Sequence, residues 1–125
     1  MEILDLNHVA IHVKDVETSK RFYREVVGLP DMERPGFKFP GAWFLIGKVQ
    51  ELHLIGGREL EVVANKTGTH FALQVDSIDD AWSTLESRGA KPYSRQTRPD
   101  GAFQFYVTDP DAHVIEFCQV NHFNG

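Results

Sequence analysis

From residue 7 the chain alternates polar and apolar side chains, Asn7-His8-Val9-Ala10-Ile11-His12-Val13, the period of two that marks a strand with one buried face. The pattern then changes to one of three to four: Val16, Phe22, Tyr23, Val26 and Val27 form the apolar stripe of a helix, closed by Gly28. Two strand patterns follow, Ala42–Ile46 and Glu51–Ile55, with Gly47-Lys48-Val49-Gln50 as the turn. A further strand is expected near Asp31–Arg34. The same series then repeats. Thr69-His70-Phe71-Ala72-Leu73-Gln74-Val75 matches the first strand at an offset of 62. Ile78, Ala81, Trp82 and Leu85 make a second helical stripe before Gly89, with Ser77 and Asp80 as an N-cap pair. A strand near Pro92–Arg95 precedes the hairpin Phe103–Val107 and Val114–Cys118, turned at Asp109-Pro110-Asp111-Ala112-His113. The pattern predicts an α+β fold of two tandem βαβββ units forming a cupped mixed sheet with helices on its outer face. One domain spans 1–125, with repeat one over about 4–60 and repeat two over about 67–120. Gly56–Gly68 carries the crossing between them.

Composition narrows the function. The 125 residues are 42% apolar and 25% charged, enough for one domain with a core of its own. A net charge of -5 argues against nucleic-acid or anionic-membrane partners. No apolar run approaches the roughly 18–20 residues of a membrane span. The single cysteine, Cys118, excludes an intrachain disulfide, and with no basic, signal-like start a cytoplasmic location is expected. Six histidines in a chain this short are the feature left to explain.

Strand alternation gathers polar groups on one face of each unit. His8, Ala10 and His12 oppose Val9, Ile11 and Val13; Glu51, His53 and Ile55 oppose Leu52 and Leu54. In the second unit His70, Ala72 and Gln74 share a face, as do Val114, Glu116 and Cys118. His8 and His70 are 62 residues apart, and His53 and Glu116 are 63 apart. Two positions per unit, repeated, make a four-residue set of imidazole and carboxylate, the donor type for Zn, Ni, Fe, Mn or Co. Glu51 and His12 fall on the same face as second candidates, Glu51 for a part in catalysis. Cys118 is read as a small buried apolar group, and His113 and His122 as solvated.

Asn7-His8-Val9-Ala10-Ile11, Arg21-Phe22-Tyr23 with Val27-Gly28-Leu29, Thr69–Asp76, and Asp109-Pro110-Asp111 with Val114-Ile115-Glu116-Phe117 resemble, in that order, the glyoxalase/bleomycin-resistance/dioxygenase superfamily, or vicinal oxygen chelate proteins. The resemblance implies that His8, His70 and Glu116 match family metal ligands. His53 stands where lactoylglutathione lyases place a glutamate, so the displaceable carboxylate of those enzymes is missing from that position. Ala112 stands where the family has glycine, which puts strain into the turn. The function expected is a metal-dependent lyase or isomerase. It would chelate vicinal oxygens of a small-molecule substrate on one divalent ion and move a proton with Glu116 or Glu51. The alternatives are an Fe(II) extradiol-type dioxygenase using His8, His70 and Glu116, or a drug-sequestering protein. Arg21, Arg24, Arg34, Arg58, Arg95 and Arg98 are candidates for holding an anionic substrate. For chains this short the resemblance favours a homodimer whose metal site is shared between subunits. The aromatic residues Trp43, Phe44, Phe103, Phe105 and Tyr106 are expected to supply apolar surface for that contact.

Overall fold

Alternation of small sets of apolar and polar residues produces two four-stranded mixed sheets in the computed structural model, which describes residues 1–59 and 61–120. The chain divides into two units, Met1–Glu61 and Val62–Gly125. The first runs β1 (His8–His12), α1 (Val16–Arg21), a π-helical turn (Phe22–Val27), β2 (Asp31–Met32), β3 (Gly41–Ile46) and β4 (Gln50–Ile55). The second runs β5 (Phe71–Gln74), α2 (Ile78–Ser87), β6 (Tyr93–Thr97), β7 (Phe103–Thr108) and β8 (Val114–Gln119). Strand order is β1-β4-β3-β2 in one and β5-β8-β7-β6 in the other. The first strand of each unit pairs in parallel with its last, and the remaining pairs are antiparallel. This is the βαβββ repeat expected from the pattern.

Register explains the core. Ile11 lies beside Leu54, which lies beside Ala42; Leu52 lies between Val9 and Phe44. Leu52, Leu54 and Phe44 are buried on that face, with Tyr23 of the π-helical turn against Phe44. In the second unit Phe71, Ile115 and Val107 form one row and Leu73, Phe117 and Phe105 the next. Trp82 of α2 meets Phe105 edge-on, with ring centroids 5.2 Å apart. Burial of these side chains stabilises each by roughly 1.5–3 kcal/mol.

Several details differ from the sequence reading. The first helix changes to π geometry at Phe22, and Gly28, at φ 89°, ends it. The second helix ends at Ser87 with Arg88 as its cap, and Gly89 follows at φ 91°. The strand expected over Asp31–Arg34 is two residues long, since Pro35 and the turn after it draw the chain off the sheet. His70 immediately precedes β5 instead of lying in it. Phe44, Phe105 and Tyr106, expected to contribute contact surface, are buried within the chain, and Phe44 and Phe105 meet aromatic rings on the helical side. His122 lies outside the described residues.

Candidate metal centre

The face opposite the apolar one carries the candidate donors. In the first unit the cross-strand rows are His8–Glu51–Leu45 and Ala10–His53–Trp43. His53 is held between two rings: Trp43 lies parallel to it at 3.9 Å and His8 at 4.1 Å, with interplanar angles of 1° and 14°. The second unit has the rows Ala72–Glu116–Tyr106 and Gln74–Cys118–Gln104. His70 reaches into the first of these, its Nε2 3.1 Å from Glu116 Oε1. Glu116, Tyr106, Gln104 and Cys118 are all buried.

Hydrogen bonds decide which ring nitrogen is free. Asn7 Oδ1 accepts from His8 Nδ1 at 2.8 Å, so the lone pair of His8 is on Nε2. The Gly68 carbonyl accepts from His70 Nδ1 at 3.1 Å, which leaves Nε2 facing the Glu116 carboxylate. Two acceptors at 3.1 Å oppose one another unless a proton or a metal cation lies between them. His53 is set the other way round. Its Nε2 donates to Glu51 Oε1 at 2.8 Å, leaving the lone pair on Nδ1.

The donor chemistry therefore fits a divalent ion: imidazole nitrogens with orienting partners and a buried carboxylate. His8 and His53 come together in one unit, with Glu51 beside them, and His70 and Glu116 in the other. Among the described residues no group of three or more His, Cys, Asp or Glu is gathered as a metal site. His12 lies at the exposed end of β1, in the row with Ile55 and not with His53. His113 lies in the turn and is half-buried, its backbone N–H donating to Asp109 Oδ1.

Second-unit groups behind Glu116 are tuned by burial. Gln104 Nε2 donates to Tyr106 Oη at 2.6 Å. Burial, then the Glu116 charge and a hydrogen bond to it, push the Tyr106 phenol up. Burial followed by the same carboxylate pushes the Cys118 thiol up, while Arg98 opposes both shifts. Of the arginines offered for substrate, Arg24, Arg95 and Arg98 are ion-paired with Asp31, Asp79 and Asp100.

Sequence reasoning missed the roles of Trp43 and Tyr106 on this face. The signal was available, since these two aromatics are 63 residues apart, the same offset as His53 and Glu116. Each is the cross-strand neighbour of its unit's β-hairpin donor candidate.

Similarity to known proteins covers nearly the whole chain. Glyoxylase I 4 of Arabidopsis thaliana is 32% identical over 127 residues, covering 94% of this chain and 72% of that protein. The solved structure of a protein assigned to the glyoxalase family from Bacillus anthracis superposes with a TM-score of 0.85 at 28% identity, covering 97% of this chain and 98% of the other. TnmS3, an antibiotic binding protein from Streptomyces sp. CB03234, superposes with a TM-score of 0.78 at 25% identity, covering 97% of this chain and 99% of the other. Residues 5–117 match the sequence model of one family. The chain belongs to the Glyoxalase/Bleomycin resistance protein/Dioxygenase superfamily.

Proposed function

We propose that the chain is a metal-dependent enzyme of the glyoxalase type, a lyase or isomerase, in which His8, His53, His70 and Glu116 hold one divalent ion. The observation that carries this is the His70–Glu116 pair. With Nδ1 held by the Gly68 carbonyl, His70 Nε2 faces Glu116 Oε1 at 3.1 Å, so a divalent ion could take the place of the proton the two share. A bound ion supplies Lewis-acid charge neutralisation to two adjacent oxygens of a small substrate. The chain's own residues orient it and move the proton. Asn7 holds His8 with Nε2 free, and Trp43 fixes the plane of His53.

Glu51 answers the absence of a glutamate at position 53. Its Oε1 lies 2.8 Å from His53 Nε2 on the donor face, so this unit still offers a carboxylate that can take up a proton when its hydrogen bond is given up. Glu116 is the second candidate base.

Metal analysis of untagged protein, followed by turnover of 2-oxoaldehyde–thiol adducts and of catechols, tests the proposal. The expected result is one divalent ion per four-donor set. Adduct turnover supported by Zn, Ni, Co or Mn should fall at least about 100-fold in Glu116→Gln. Fe(II)-dependent oxygen uptake with a catechol selects a dioxygenase instead. Tight drug binding by metal-free protein without turnover selects sequestration, the reading favoured by the likeness to TnmS3. Protein that takes up none of these metals refutes the site.

A further inference from the structure

His70 takes its orientation from the turn that precedes it. The N–H of Gly68 donates to the Asn65 carbonyl at 3.2 Å, closing a β-turn, and the N–H of Asn65 donates to the Thr69 carbonyl at 3.2 Å. Asn65 also binds the turn with its side chain. Its Oδ1 accepts from the Thr67 N–H at 2.9 Å and from the Thr67 hydroxyl at 3.1 Å. The Gly68 carbonyl is left to accept from His70 Nδ1 at 3.1 Å. Residues 65–69 are exposed and include no apolar side chain, so this bonding serves no core.

Gly68 is needed there for its size. A Cβ at this position would stand 2.8 Å from Asn65 Oδ1 and 3.0 Å from Asn65 Nδ2. Thr67 already holds that amide, so a side chain at 68 must break the Asn65–Thr67 bonds or push the carbonyl away from His70. A further contact braces the turn. Lys66 Nζ donates to Ser94 Oγ at 3.0 Å, and Ser94 has φ 53° where the pairing of β6 with β7 is irregular. A left-handed serine is strained, and an irregular strand re-aims the side chains it carries. Here the strained residue is the one that meets Lys66.

We infer that Asn65 and Gly68 are positioning residues for His70: their turn holds a carbonyl against Nδ1, which keeps a proton there and turns Nε2 to Glu116. The placement of that proton needs no metal. Its use, to present Nε2 to the ion, rests on the metal-enzyme reading. A neutral imidazole carries one N–H, and its hydrogen-bond partners decide which nitrogen bears it. Without the Gly68 carbonyl the ring would keep its proton on Nε2, between itself and Glu116. An ion entering there would have to drive the proton to an Nδ1 that had lost its acceptor. Neither residue touches the ion; both act through the His70 ring.

The test is the nitrogen NMR spectrum of histidine-labelled, metal-free protein at pH about 8, above the ordinary histidine range. His70 is assigned by the signals lost in His70→Gln. In the unsubstituted protein its Nδ1 should resonate as a protonated nitrogen. In Gly68→Ala and Asn65→Ala it should move most of the way to the unprotonated position, while the other histidines stay in place. Asn65→Asp keeps the accepting oxygen and should restore the original spectrum. Metal affinity, measured by competition with a chromophoric chelator, should fall about 10–100-fold in the two alanine variants and return in Asn65→Asp. Asn65 is exposed, so its two variants decide the matter even if Gly68→Ala does not fold. A His70 Nδ1 without a proton in the unsubstituted protein overturns the inference, as does one that keeps its proton in Asn65→Ala. Metal affinity lost equally in Asn65→Asp overturns it too. A Nδ1 proton that follows these substitutions in protein that takes up no metal supports the role of the turn and refutes the metal reading.

Discussion

Ala112 has φ 72°, in the left-handed region where an L side chain is crowded by its own backbone. The turn around it demands that conformation. Asp109 Oδ1 accepts from the N–H groups of Asp111 at 2.8 Å and His113 at 2.9 Å, and the Asp109 carbonyl accepts from Ala112 N–H at 3.1 Å. Left-handed alanine costs about 1–2 kcal/mol, while glycine adds about 0.4–1 kcal/mol of chain entropy to the unfolded state. Ala112→Gly should therefore stabilise the protein by about 0.5–1 kcal/mol, raising the melting temperature by about 2–4 °C. An unchanged or lower melting temperature would show that the turn carries no strain. This residue was legible because the surrounding turn has an established glycine slot. Ser94, at φ 53°, was not. It sits at an irregularity between Tyr93 and Gln96 in the pairing of β6 with β7, which no local residue announces. The site divides in the same way. Strand parity proposed His8, His53, Glu116 and Glu51 as donors, and the repeat offset added His70, which precedes β5. The tautomers did not follow, since they depend on Asn7 and the Gly68 carbonyl being within hydrogen-bond reach.

At the scale of elements, local capping and apolar period determine where the two helices start and stop. Asp15 Oδ1 accepts from Thr18 N–H at 3.1 Å and Ser77 Oγ from Asp80 N–H at 3.2 Å, each satisfying a donor of the first turn. Asp15→Ala and Ser77→Ala should each cost about 1 kcal/mol in urea unfolding. A loss below about 0.3 kcal/mol for Asp15→Ala would mean that packing of α1 on β3 and β4 holds the helix without its cap. Apolar period could not reveal the π-helical turn. Phe22-Tyr23 and Val26-Val27 are adjacent pairs, and such pairs present an apolar stripe at either helical pitch. Burial of Tyr23 and the two hydrogen bonds its carbonyl accepts, from Gly28 at 3.0 Å and Leu29 at 2.9 Å, accompany the wider turn. The short β2 has a clearer cause. Alternation allowed four residues, but Arg34 is bonded to the Phe39 carbonyl and Pro35 has no N–H to donate.

At the scale of the whole molecule, the proposed four-donor set draws on both units. Each unit brings two, and each sheet ends in a strand, β1 or β5, paired on one side within its sheet. Such edges are generally covered. A unit can be completed by its sister in the same chain or by the complementary unit of a second chain, and we propose the second, a homodimer with two shared sites. Phe44, Phe105 and Tyr106 are buried within the chain and supply none of the aromatic surface expected for that contact. What supports the proposal is the division of donors between units together with the twofold logic of an isologous exchange. Complementation separates the two arrangements. In a shared-site dimer, His8→Ala and Glu116→Ala proteins refolded together form mixed dimers in about half of all pairings. Each mixed dimer joins the intact first unit of the Glu116→Ala chain to the intact second unit of the His8→Ala chain. One of its two sites is then wild type and the other carries both substitutions. Metal bound with wild-type affinity should return to about a quarter of the wild-type amount, half the dimers with one site of two. Neither variant refolded alone should show it. If all four donors come from one chain, mixing restores nothing, because every site carries a substitution. Sedimentation in the micromolar range gives the second arm: a monomer that binds metal at full affinity rules the shared site out.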